Sequence, residues 1–274
     1  MRCCEQMEDV RELGTAPGLR APAAWKGEKP FLAVCALLFA ASAVATAYWG
    51  DAMSGGMEMP GGWTVSMAWM RMPGQSWPGA AALFLGMWAL MMAAMMLPAL
   101  TAMLLAYHHK RHPAIGRWLA GGGYLAVWTA FGAIVYVPGV LLAGLAMDSE
   151  LFARSVPALT GIAVVFLGVF QMTEWKLGQL EHCRSQAPCG TGAVGERNAW
   201  RHGAHLGLCC LRCNANLMTV QLVAGVMDLR LMALLTLAVS AERLAPAPRA
   251  VARAVGVVIV AVGVALFAGD LIAV

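Results

Sequence analysis

Seven nearly uninterrupted apolar runs of membrane-spanning length govern what this chain can fold into. They cover residues 31–49, 80–105, 121–146, 156–177, 204–226, 229–244 and 250–272. A run of about 17–25 apolar residues matches the hydrocarbon thickness of a bilayer. A spanning segment must satisfy its own backbone polar groups, which leaves helices or closed barrels. These runs are continuous rather than alternating, so the expected fold is all-α, a polytopic transmembrane helix bundle of about seven spans. Only 12% of residues are charged, about half the share usual in a soluble domain. That excludes a soluble enzyme and a disordered regulator. The sixth run is the shortest, bounded by Asp228 and Arg230 on one side and by Ala245 and Pro246 on the other.

Basic residues set the orientation. From the N-terminus, the segments between runs, counted with the basic residues at the run ends that border them (Lys176, Arg230, Arg243 and Arg253), carry Lys and Arg in the sequence 5, 1, 3, 1, 4, 1, 3 and 0, with Arg212 deeper inside the fifth run. Such alternation places the N-terminus in the cytoplasm and the C-terminus outside. It also requires the weak sixth run to cross, since otherwise Arg243, Arg249 and Arg253 would fall outside. Ala45-Thr46-Ala47 resembles a cleavage site, but the leading segment is too long and too mixed in charge for a signal peptide. Residues 1–29 therefore read as a flexible cytoplasmic tail, and residues 30–274 as one helical membrane domain. The basic excess belongs to cytoplasmic loops and gives no reason to invoke nucleic acid. Localisation in a bacterial inner membrane follows, with the lipid bilayer as the first partner and a membrane protein or a second copy as further ones.

Sulfur is the second anomaly: the chain holds 19 Met and 8 Cys. In the orientation above, every cysteine lies on the cytoplasmic side, where thiols stay reduced. The outer loop holds Met53, Met57, Met59, Met67, Met70 and Met72 among glycines and prolines. The second run adds Met87, Met91, Met92, Met95 and Met96, with Met87, Met91 and Met95 forming one stripe at four-residue spacing. Thioethers and thiolates are soft donors that prefer Cu(I) to hard cations, so methionine outside and cysteine inside is the gradient a handler of cuprous ion would show. Methionine also fills gaps in cores, which leaves packing open as the reading of the second run. Met53, Met57 and Met59 are the expected outer capture group.

The densest signal is LCCLRCNANLM at 208–218. Cys213 lies four residues from Cys209 and three from Cys210, so it can share a helix face with either. With Cys183, Met91, Met92, Met95 and Met96, these three cysteines form the expected metal ligands. Around them Gln171, Glu174, Lys176, Arg184, Arg212 and Asn214 are expected as the supporting polar shell. An arginine at the depth of Arg212 needs protein or water around it, or must snorkel to the surface. Counted at about 1.5 Å per residue, the cysteines and Gln171 lie at similar depths of roughly 8–14 Å, near the cytoplasmic face. Pro98 removes a backbone hydrogen bond beside Met95 and Met96, a point at which the second helix is expected to kink.

Four blocks carry a family resemblance: WALMMAAMMLPA at 88–99, YLAVWTAFG at 124–132, GVFQMTEWKLGQLEHCR at 168–184 and the stretch from His205 to Arg243. On these the chain resembles the bacterial predicted metal-binding integral membrane proteins, a copper-chaperone-like family of the domain of unknown function 2182. It departs from the family pattern at Gln179, where the first of two loop cysteines is expected. The resemblance implies metal handling without naming a reaction. Taken with the residues, the expected function is non-catalytic binding and transfer of Cu(I), as a chaperone, insertion factor or low-flux carrier. A thiol-redox component and a structural subunit of a membrane complex remain the alternatives. No histidine pair sits at mid-membrane, so no haem is expected. No phosphate-cradling glycine loop is present, so no nucleotide is expected either.

Overall fold

The computed structural model describes residues 29–52, 56–72, 74–108, 114–186 and 196–273. Eight α-helices follow in chain order among them: α1 (Lys29–Ala52), α2 (Trp77–His108), α3 (Ala114–Asp148), α4 (Glu150–Gln171), α5 (Glu174–Gln186), α6 (Glu196–Ala224), α7 (Leu229–Leu244) and α8 (Pro248–Ala273). Six of them, all but α5 and α7, are long and apolar enough to cross a membrane. Large apolar side chains such as Leu37, Tyr48, Ile134, Leu151 and Phe166 are exposed around the bundle, as a lipid-facing surface requires.

Two features differ from the sequence expectation. First, the chain is not wholly α. The Gly/Pro-rich outer segment folds into a hairpin of β1 (Met57–Met59) and β2 (Trp63–Val65), paired antiparallel with Met57 opposite Val65. Two glycines at positive φ, Gly61 and Gly62, make the turn possible. Trp63 Nε1 then ties the hairpin to α4 by donating to the Ala153 carbonyl at 2.8 Å.

Second, the fourth apolar run is cut at Gln171 rather than reaching Leu177. Met172 and Thr173 break the helix, and α5 begins afresh at Glu174. Thr173 Oγ1 accepts from the Lys176 amide at 3.4 Å, satisfying one of the orphan N–H groups of the new helix. Pro98 lies inside α2, which continues through it as one helix. The proline costs one backbone bond there without ending the helix.

The weak sixth run is a helix, α7, with the expected limits of 16 residues. Gly225, at φ 147°, closes α6, and Asp228 caps α7 by accepting from the amides of Arg230 and Leu231 at 2.8 and 3.1 Å.

Lipid tails are as apolar as leucine, so helices in a bilayer associate through close packing rather than hydrophobic transfer. This chain uses small residues for that purpose. A Cβ on Gly203 of α6 would stand 1.9 Å from the Ala120 carbonyl of α3, and one on Gly123 would stand 2.4 Å from the Trp200 carbonyl. The α3–α6 contact is therefore set by backbone against backbone. Gly161 and Gly168 of α4 meet Gly263 and Gly256 of α8 in the same way.

Helix α2 packs against α1, α3 and α7, and its methionine stripe faces inward. Met87, Met91, Met92, Met95 and Met96 are each at most 2% exposed. They share one continuous core with Trp88, Trp128, Tyr124 and Cys210.

Candidate metal centre

The break after Gln171 brings helix α5 against α6. Cys183 of α5 packs on Cys209 and Cys213 of α6 in a small cluster of its own. The thiols lie close enough to influence one another: Cys183 with Cys209 and with Cys213, and Cys213 with Cys210. Helical spacing supplies part of this, as Cys213 also donates to the Cys209 and Cys210 carbonyls at 3.3 and 3.4 Å. All four are buried and free of disulfides. The Cys209 thiol beside it, followed by burial, pushes the Cys183 thiol up to about 12. It is therefore protonated at neutral pH, and a metal binding there must displace the proton.

Polar groups from three helices close round the sulfurs. Tyr124 Oη of α3 donates to Cys210 Sγ at 2.9 Å, and Asn214 Nδ2 donates to the same sulfur at 3.2 Å. From α7, Arg243 Nη2 reaches Cys213 Sγ at 3.1 Å. The preceding residue, Glu242, is fully buried and pairs with Lys176 of α5. Gln171 donates to Glu242 and accepts from Asn216 Nδ2. One network thus links α4, α5, α6 and α7, and every ionised member described has an opposite charge or a hydrogen bond. That is the condition under which buried charge is tolerated.

The expected residues divide clearly. Cys183, Cys209, Cys210, Cys213, Gln171, Lys176 and Asn214 come together. Glu174 does not: it is exposed and pairs with Arg249 and Arg253 of α8. Arg212 is also exposed, because its position on α6 is turned away from Cys213. The arginine that meets the thiols is Arg243.

Met91, Met92, Met95 and Met96 lie in the larger core with Cys210, whereas Cys183, Cys209 and Cys213 form a separate cluster. Met57 is exposed and Met59 is buried beneath the hairpin with Val65 and Ala153. Met53, Cys3, Cys4, Cys189 and the Arg184 side chain lie outside the described residues.

Sequence reasoning missed Tyr124, Asn216, Glu242 and Arg243. A signal for the last two was available, since adjacent ionisable residues end an otherwise apolar run. It was absorbed by counting Arg243 toward orientation.

Among the described residues, no group of three or more His, Cys, Asp or Glu is arranged as a metal site. The four thiols lie against one another instead. The donors gathered there are soft sulfurs, which suit copper better than they suit hard cations.

The features define a class: a helical bundle, with helices of membrane-spanning length, enclosing a dry cluster of thiols beside a buried arginine. Residues 85–266 match the PpoB2 copper chaperone family. The chain belongs to that family, and its business is copper. The match includes every residue of the thiol network and bears out the copper-chaperone-like character of the four sequence blocks. No curated protein and no solved structure matches the chain.

Proposed function

We propose that this chain is a multi-pass protein of a bacterial inner membrane that binds Cu(I) through the buried thiols and passes it on, as a chaperone or low-flux carrier. Cys183, Cys209 and Cys213 are the principal ligands, with Cys210 held in reserve by Tyr124 and Asn214. The buried methionines of α2 supply thioethers in the adjoining core. In this reading α7 completes seven crossings, the N-terminus is cytoplasmic and the C-terminus outside.

The observation that carries the proposal is the position of Arg243 against Cys213. Cu(I) held by two of these sulfurs as thiolates, with the third remaining a thiol, has a net charge of −1, which is costly in a low-dielectric interior. A guanidinium 3.1 Å away makes the loaded site neutral. Neither a structural thiol cluster nor ordinary packing calls for a buried cation at that place. Arginine suits the role because it stays charged when buried. The Glu242–Lys176 pair anchors α7 beside the thiols.

The test is metal content of purified protein. Full-length chain loaded with Cu(I) under reducing conditions should retain it through desalting, and the Cys183→Ser/Cys209→Ser/Cys213→Ser variant should lose that share. Equal copper in the two proteins would end the proposal.

A further inference from the structure

Of the methionines noted in the sequence, Met67, Met70 and Met72 before α2 and Met87 in its first half gather at one place. A short 3-10 turn, Met67–Trp69, is capped by Ser66, whose side chain accepts from the Ala68 amide at 3.3 Å. The chain then turns again at Met72–Gln75. There the Met72 amide donates to Gln75 Oε1 at 3.3 Å, and the Gln75 amide donates to the Met72 carbonyl at 3.0 Å. Between these turns and α2 lies a shallow cleft with room of about 30 Å³. Its lining includes four thioethers, from Met67, Met70, Met72 and Met87, with Phe84 as one wall. Trp69 packs on Phe84 at 5.0 Å, which fixes the turn against the helix.

From this geometry we infer that the cleft is a second binding site for a soft monovalent cation, Cu(I), distinct from the thiol cluster and from the hairpin methionines. The proposal rests on the copper reading above.

Three observations carry it. The lining contains no carboxylate, imidazole or thiol, so thioethers dominate the donors and hard cations gain little there. Thioethers need no deprotonation, so the site would work at any ordinary pH. The sulfurs are also graded in exposure. Met72 is 45% exposed, Met67 and Met70 are half-buried and Met87 is buried. Methionine used only as filler would be covered throughout. Here the residues run from solvent to the start of the buried stripe Met87, Met91, Met95, whose members stand about 6 Å apart along α2. The one basic group on this turn, Arg71, lies over the Trp77 ring at 5.1 Å, and the cleft lining does not include it.

The experiment uses the full chain in detergent, labelled at the methionine methyl groups and titrated with Ag(I) as a redox-inert stand-in for Cu(I). Two backgrounds are compared: the native chain and the Cys183→Ser/Cys209→Ser/Cys213→Ser variant. The expected result is that the methyl signals of Met67, Met70, Met72 and Met87 shift in both, while that of Met57 does not. Met70→Leu/Met72→Leu keeps side-chain volume, so the fold should survive, and it should remove one bound equivalent from either background. Unmoved cleft signals in both backgrounds would overturn the inference and leave the thiol reading standing. Shifted cleft signals, with no metal lost on removing the thiols, would sustain the cleft and sink the thiol site instead.

Discussion

Replacing Arg243 with methionine removes a buried positive charge while keeping most of the side-chain length. The guanidinium nitrogen stands 3.1 Å from Cys213 Sγ. A unit charge about 4 Å away, at an effective dielectric near 20, is worth about 4 kcal/mol. Relaxation and water penetration return part of this, so Cu(I) binding should weaken by about 2–4 kcal/mol, roughly 30- to 1,000-fold in Kd. Arg243→Lys keeps the charge but loses the planar fork, and should cost only about tenfold. The assay is competition for Cu(I) against a coloured chelator, in detergent and under reductant, with a thermal melt of each variant as the control on folding. The charge-balance reasoning fails if Arg243→Met melts like the native chain and still binds Cu(I) within about threefold of it.

Other outcomes follow from the same structure. Glu242→Ala strands the fully buried Lys176 and should destabilise the bundle by about 3–5 kcal/mol, whereas Lys176→Met/Glu242→Leu should recover most of that loss; denaturant melts in detergent distinguish the two. Gly203→Leu would drive a side chain into the Ala120 carbonyl and should cost at least about 1–3 kcal/mol. Gly178→Ala, which meets nothing and lies inside α5, should instead raise stability by up to about 1 kcal/mol in the same melts. Hydrogen bonds from Arg249 hold the Glu181 carboxyl below its ordinary range. Because the folded pKa is the lower one, this pair stabilises fully above the usual carboxylate value of about 4.3 and ceases to do so as pH falls through the lowered value. The melting difference between native and Glu181→Gln should accordingly vanish in acid, and it should be small throughout because both groups are exposed.

The helices were legible because apolar run length is a one-dimensional property. Even α7, whose 16 residues make it the shortest of the seven expected spans, appears with the limits its flanking charges define. The Thr173 break was not legible, since Met172, Thr173 and Trp175 continue an apolar pattern and only Glu174 and Lys176 interrupt it. The Cys209–Cys213 face followed from helical spacing, whereas Cys183 entered only as a nearby cysteine on a block that carries the family resemblance. The partners of that face followed from neither. Whether Arg212 or Arg243 meets the sulfurs depends on how α6 and α7 are rotated, and rotation is fixed by contacts such as Gly203 on Ala120 that no local pattern encodes. Met59 misled for a related reason. A glycine-rich segment looked like open loop, whereas two glycines at positive φ folded it into a hairpin with its own small core.

Sixteen residues of α7 extend only about 24 Å, less than the roughly 30 Å of bilayer hydrocarbon. In the seven-span reading proposed above, a crossing that short would oblige the surrounding lipid to thin or the polar boundary to dip inward. Glu242 and Arg243 occupy its last turn, so on that reading the dimple would form beside the sulfurs and bring the thiol cluster under a shallow depression, with no need for a channel through the bundle.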